Sequence, residues 1–262
     1  MKYQLFFLNS ILIVLLCFAV SCKKSSSEPE NPEPKPEPIP TSVTDIEGNE
    51  YAVKRFGGTL WMMENLRVTK YDTKSPRSGD SIPKAINNHA VNAETPYYKD
   101  VTDFTDSPYT DNLTNEIRKS LGFLYNWSAA AGTTTNNTTV ATNTQGICPN
   151  GWQLPTATDF DSLCHYVGGR TVAAKKLKSM YGWYTETGSG TNESEMNCYP
   201  AGLAAGNLVS FVGKQTMFWS SNNNMANNTK AEVIRLFFDK DEAEKLYINK
   251  IQANSVRCVK KL

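Results

Sequence analysis

Residues 28–40 read EPENPEPKPEPIP, with proline at nearly every second position. Proline has no backbone N–H to offer a helix or sheet and fixes its own φ near −65°. Such a tract cannot pack a core. It favours extended polyproline II geometry, at about 3.1 Å per residue. The tract therefore acts as a semi-rigid spacer and divides the chain into a leader before it and one domain of ordinary size after it. The organisation expected is a signal peptide over 1–21, a Pro/Glu-rich linker over 22–42 and a folded domain over 43–262.

The leader opens with Met1 and Lys2, followed by a run from Leu5 to Val20 that is apolar except at Asn9 and Ser10. A basic start, a short apolar core and small residues before a cut site mark a secretory signal. The run falls short of the roughly 20 residues that a spanning helix needs. Ala19-Val20-Ser21-Cys22 reads as a lipobox with Ala19 in place of the usual leucine. Cys22 is thus the expected lipidation site, and the membrane is an expected partner through that lipid. Each buried methylene contributes about 0.8 kcal/mol, so several acyl chains on one cysteine make the anchor effectively permanent. The location expected is the cell envelope, lipid-anchored, at the outer membrane. Lys23 and Lys24 read as part of a solvated tail, with contact to anionic head groups as the alternative.

Net charge is +1. That balance gives no reason to expect a nucleic-acid partner. The chain has six cysteines. Cys17 leaves with the signal and Cys22 takes the lipid. Cys148, Cys164, Cys198 and Cys258 remain, an even set in an oxidising compartment, which reads as two disulfides with three possible pairings. A zinc site is the competing reading, but the chain has no CxxC or HExxH. No metal and no cofactor is expected.

Along the domain, Val43–Ile46 and Tyr51–Lys54 flank Glu47-Gly48-Asn49, a hairpin signal in which Gly48 and Asn49 can take positive φ. Thr59–Met63 reads as a buried strand, and residues 70–112 as long surface loops. Ile117, Leu121 and Leu124 have helical spacing. The clearest helix follows Thr156, a good N-cap with Asp159 three residues on. Phe160, Leu163, Cys164 and Val167 form its apolar face, and Gly168-Gly169 ends it. A second short helix is expected over 172–177. Strands are expected over 216–221, 231–238, 245–248 and 255–259, with Cys258 and Val256 on one inward face. Short strands and few helices predict an α+β fold with an antiparallel sheet, one or two short helices and long loops.

Six segments in order, DIEGNEY, LWMMENLRVTKY, LGFLYNWSAAAG, GICPNGWQLPTATDFDSL, MFWSS and NSVRCVKKL, resemble the Fibrobacter succinogenes major paralogous domain over nearly all of 43–262. GWQLPT followed by a capped helix is also similar to the wider C-type-lectin-like and sulfatase-modifying-factor group. That resemblance implies a C-type-lectin-like α+β fold. The family pairing of the CPxGW and VRCV cysteines implies a Cys148–Cys258 bridge, leaving Cys164–Cys198 as a second, local one.

No catalytic constellation is legible. His165 follows Cys164, but neighbours on a helix point about 100° apart. His89 stands alone. The tripeptides EPN or QPD and the WND of calcium-dependent lectins are missing from the domain, where WSSN stands at 219–222. Binding by loops remains. Trp183 and Tyr184, beside Tyr181, form one aromatic segment, with Trp183 the expected exposed ring. Asn222, Asn223 and Asn224 form a polar cluster, and Tyr247 is a further candidate. Trp61, Trp127, Trp152 and Trp219 are expected in the core. The function expected is a non-enzymatic envelope lipoprotein whose domain binds a glycan or protein ligand. The alternatives are a structural component of a surface assembly and an enzyme of the sulfatase-modifying type.

Overall fold

The computed structural model describes residues 38–85, 92–103, 114–133, 144–185, 188–206, 208–224 and 226–262. The signal peptide, Cys22, most of the linker and His89 lie outside the described residues. Ile39–Leu262 form a compact unit. No helix among the described residues is long and apolar enough to cross a membrane.

Among the described residues, twelve short strands form three antiparallel sheets. The first contains β1 (Ser42–Thr44), β2 (Glu50–Phe56), β3 (Thr59–Met62) and β12 (Val259–Lys261), in the order β1-β2-β3-β12. The second contains β4 (Tyr98–Asp100), β5 (Phe123–Asn126), β6 (Leu203–Ala205), β7 (Leu208–Ser210) and β11 (Ala253–Asn254), in the order β4-β5-β11-β6-β7. The third is β10-β9-β8, from β8 (Gln215–Asn223), β9 (Lys230–Phe237) and β10 (Glu244–Asn249). Among the described residues, four short α-helices accompany them: α1 (Asn115–Leu121), α2 (Trp127–Ala131), α3 (Ala157–Tyr166) and α4 (Arg170–Leu177). The fold is α+β and mostly antiparallel, with more helices than the one or two expected. Of the two beyond that range, α1 covers the helical spacing of Ile117 and Leu121, and α2 has residues, WSAAA, that are all buried. A helix buried on every side has no amphipathic stripe to read. Asn126 and Gly132 cap it.

Strand alternation explains why two cores share one wall. Successive side chains point to opposite faces. On β3, Leu60 and Met62 face a core with Tyr51, Trp127, Trp152 and Trp219, while Trp61 faces a second with Phe160 and Leu163. On β8, Met217 and Trp219 join the first and Phe218 the second; β9 divides likewise between Val233 and Ile234. The four tryptophans expected inside are at most 6% exposed.

Helix α3 matches its sequence signature. Thr156 accepts from the Asp159 amide, and the Asp159 carboxylate accepts in return from the Thr156 amide at 2.9 Å. Phe160, Leu163, Cys164 and Val167 all lie in the second core. Gly169 donates to the Cys164 carbonyl at 2.8 Å, closing the helix. Asp159 also forms an ion pair with Lys261, which ties the helix start to β12.

Three expectations need correction. In the first hairpin Gly48 takes φ +82° but Asn49 does not take positive φ; its amide donates instead to the Asp45 carboxylate, which also accepts from Glu47 and Tyr51. The expected strand 255–259 is broken, because the chain leaves the second sheet at Asn254 and joins the first at Val259. Between them Arg257 is buried, donating to Asn65 Oδ1 and the carbonyls of Met196 and Asn197. Residues 70–112 are not all surface loop: Tyr71, Ile82, Tyr97 and Val101 are at most 3% exposed.

Candidate functional site

The segment after α4 carries the aromatic candidates. Lys178 anchors it by donating to the carbonyls of Phe237, Phe238 and Lys240 at 3.1–3.3 Å. Burial holds its ammonium pKa below the ordinary lysine range. Ser179 Oγ lies 2.7 Å from the Tyr181 carbonyl, and Gly182 turns the chain at φ +88°. This turn swings Trp183 inward. Its Nε1–H donates to Ser179 Oγ at 3.1 Å, the Lys178 ammonium lies 5.2 Å from its ring, and it is 6% exposed within the second core. Trp183 is therefore a core anchor, not the exposed ring expected. Three aromatics within four residues do not reveal which one turns inward.

The exposed ring is Tyr184, at 42%, with Tyr181 at 69% on the same segment. The Tyr184 amide donates to the Gly213 carbonyl at 2.7 Å, fixing it to the turn before β8. That turn presents Phe211, half exposed, at φ +61°. Such a backbone is uncommon for a bulky side chain, with a cost of order 1–3 kcal/mol. Around Tyr184 the rings form a ladder. The Lys214 ammonium lies 4.3 Å from its centroid, and Phe238 meets it edge-on at 5.5 Å. Phe237 follows at 5.1 Å, and the Arg235 guanidinium lies 5.1 Å from that ring, paired with Glu244. Each cation–ring contact contributes about 0.5–1 kcal/mol at an exposed site. The arrangement is a stiff row of apolar ring surface framed by cations, suited to the CH face of a sugar or to a protein side chain. Lys214, Arg235, Phe237 and Phe238 were not legible as its members, since they are distant from Tyr184 in sequence.

The remaining candidates lie at the other end of the third sheet. Gln215 pairs with Phe237 at one end of β8, and Asn223 with Ala231 at the other. A strand of nine residues is about 25–30 Å long, so one small ligand cannot touch both ends. Asn222 Oδ1 accepts from the Ala157 amide at the start of α3, at 2.8 Å. Asn224 Oδ1 accepts from the Ala226 and Asn227 amides, forming the hairpin turn. Asn223 Oδ1 is buried without a hydrogen bond. These amides shape the loop. Tyr247 is 45% exposed and pairs across the sheet with the buried Glu232, whose carboxyl pKa burial raises.

Cys148 and Cys258 form a disulfide. The expected Cys164–Cys198 bridge is not formed: both are free, buried thiols. They line one apolar cavity of about 10 Å³ with Trp61, Phe160 and Phe218. Burial raises both thiol pKa values. They pack as small hydrophobes, which counting cysteines cannot foresee. His165 is exposed beside buried Cys164. Among the described residues no group of three or more His, Cys, Asp or Glu side chains is placed to hold a metal ion.

No curated protein and no solved structure matches the chain. The family model described as the Fibrobacter succinogenes major domain matches residues 55–260, from within β2 into β12 and so across all three sheets. The chain belongs to the Fibrobacter succinogenes major domain family.

Proposed function

We propose that this chain is a lipoprotein of the cell envelope, anchored at the outer membrane through Cys22, whose lectin-like domain binds a glycan without catalysing a reaction. The observation that carries the binding reading is Tyr184. Its ring is exposed yet fixed, by its backbone bond to Gly213 and its contacts with Lys214 and Phe238. A ring ordered before binding loses little conformational freedom on contact. The capped helix after GWQLPT and the antiparallel sheets support the lectin-like part. Thiol catalysis is disfavoured because a reactive cysteine needs an accessible thiolate, and burial works against both thiols.

The test applies the full chain, in detergent, to a broad panel of polysaccharides and envelope proteins. The expected result is a polysaccharide ligand whose binding weakens about tenfold in Tyr184→Ala, as for loss of a stacked ring, with the unfolding midpoint nearly unchanged. Trp183→Ala is expected instead to lower the midpoint steeply. A chain that binds no polysaccharide, or a Tyr184→Ala variant that binds like the parent, sinks the glycan reading. The anchor is tested separately, since Cys22→Ser is expected to release the chain from the membrane fraction; retention there would refute it.

A further inference from the structure

A cleft opens where the end of α1 meets the segment after β3. Backbone bonds draw the two together. The Asn65 amide donates to the Ser120 carbonyl at 3.4 Å, Asn65 Nδ2 to the Leu121 carbonyl at 2.9 Å, and the Phe123 amide to the Leu66 carbonyl at 2.9 Å. Gly122 permits this approach. It has φ +60°, and a Cβ there would lie 2.6 Å from the Leu66 oxygen. The result sets Arg67 beside Arg118 and Lys119. With Asp100, Thr102 and Phe123 they line a space of about 410 Å³, within the size range of small-molecule sites.

The cations at the end of α1 complement the helix dipole, but that does not account for Arg67. It arrives from another segment, held by Glu64 at 3.0 Å and the Glu50 carbonyl at 2.7 Å, over the Tyr51 ring at 4.4 Å. Lys119 is exposed and, among the described residues, has no side-chain hydrogen bond or ion pair. The Phe123 ring is fixed by stacking on Tyr98 at 4.6 Å. Asp100 Oδ1 accepts from the Thr102 amide and hydroxyl, and among the described residues no donor reaches its Oδ2. Cations for an anion, a fixed aromatic ring and a carboxylate oxygen able to accept hydroxyl protons occur together in one cleft. We propose that it binds a carboxylated sugar unit. The carboxylate lies against Lys119, the ring carbons against Phe123, and a hydroxyl donates to Asp100. The choice of a sugar rests on the glycan reading above, but the residues are separate from the Tyr184 surface.

The probe is trigalacturonate, titrated calorimetrically into the full chain in detergent, with its methyl ester and vesicles of anionic phospholipid as comparisons. Saturable binding is expected, weakened about tenfold by esterification and by Lys119→Glu, as for loss of charge-assisted hydrogen bonds. Lys119→Ala is expected to weaken it less, and Tyr184→Ala to leave it unchanged, so failure of the Tyr184 surface would not be mistaken for failure here. The proposal is overturned if trigalacturonate does not saturate, if the ester binds equally well, or if both Lys119 variants bind like the parent. Vesicle binding that depends on Lys119 without trigalacturonate binding would also overturn it, in favour of a lipid surface.

Discussion

Replacing Cys148 and Cys258 together by alanine opens a loop with a sequence separation of 110. Loop-closure entropy for that length is about 16 cal/mol/K, or about 4.8 kcal/mol at 25 °C. Both residues are fully buried in the first core, so loss of two sulfur atoms adds about 1 kcal/mol of cavity cost. The expected destabilisation is therefore about 5–6 kcal/mol. For a domain of this size that corresponds to a fall of roughly 10–20 °C in the unfolding midpoint. Urea titration followed by the fluorescence of the buried tryptophans measures it. Reducing the parent chain isolates the loop term, because the sulfurs stay in place. The denaturant slope should rise in both cases, since the uncrosslinked denatured chain exposes more surface. A loss below about 1.5 kcal/mol with an unchanged slope would refute the reasoning and show that β12 holds its place without the bridge.

Cys164 and Cys198 should resist a thiol reagent in the native chain at neutral pH and yield two thiols on unfolding; rapid native labelling would contradict their burial. Because burial raises both folded pKa values, their contribution to stability is complete below the unfolded thiol range, near pH 8.5, and declines as pH rises through the folded values. A Cys164→Ala/Cys198→Ala chain should lose less stability between pH 8 and pH 10 than the parent. Thr156→Ala should cost about 1 kcal/mol by removing the N-cap of α3, read as a lower urea midpoint at constant slope; no change would show that Asn222 and the Asp159–Lys261 pair hold the helix start alone.

Much of the fold was legible where local chemistry decides it. Thr156, Asp159 and the spacing of Phe160, Leu163, Cys164 and Val167 specify α3 within a single window. The strands of the third sheet were readable for the same reason, since β8 and β9 alternate between two cores and β10 between the first core and solvent. What was not legible depends on residues far apart in sequence. The break between Asn254 and Val259 follows from a change of sheet. Arg257 sits inside because Asn65, Met196 and Asn197 offer oxygens there. The choice between Trp183 and Tyr184 rests on Ser179 and on the turn at Gly213. The cleft at Arg67 needs Gly122 to let two backbones meet, which no periodicity discloses.

The pairing of β12 with β3 has a kinetic side. Lys261 and Thr59 are 202 residues apart, and the last strand supplies one edge of the first sheet. Contacts of such long sequence separation form slowly and late. Until residues 253–261 emerge, two of the three sheets lack a strand, and Cys148 has no partner. The nascent chain can therefore complete these two sheets and the disulfide only as its last residues appear, so both stay open to rearrangement while it is being made.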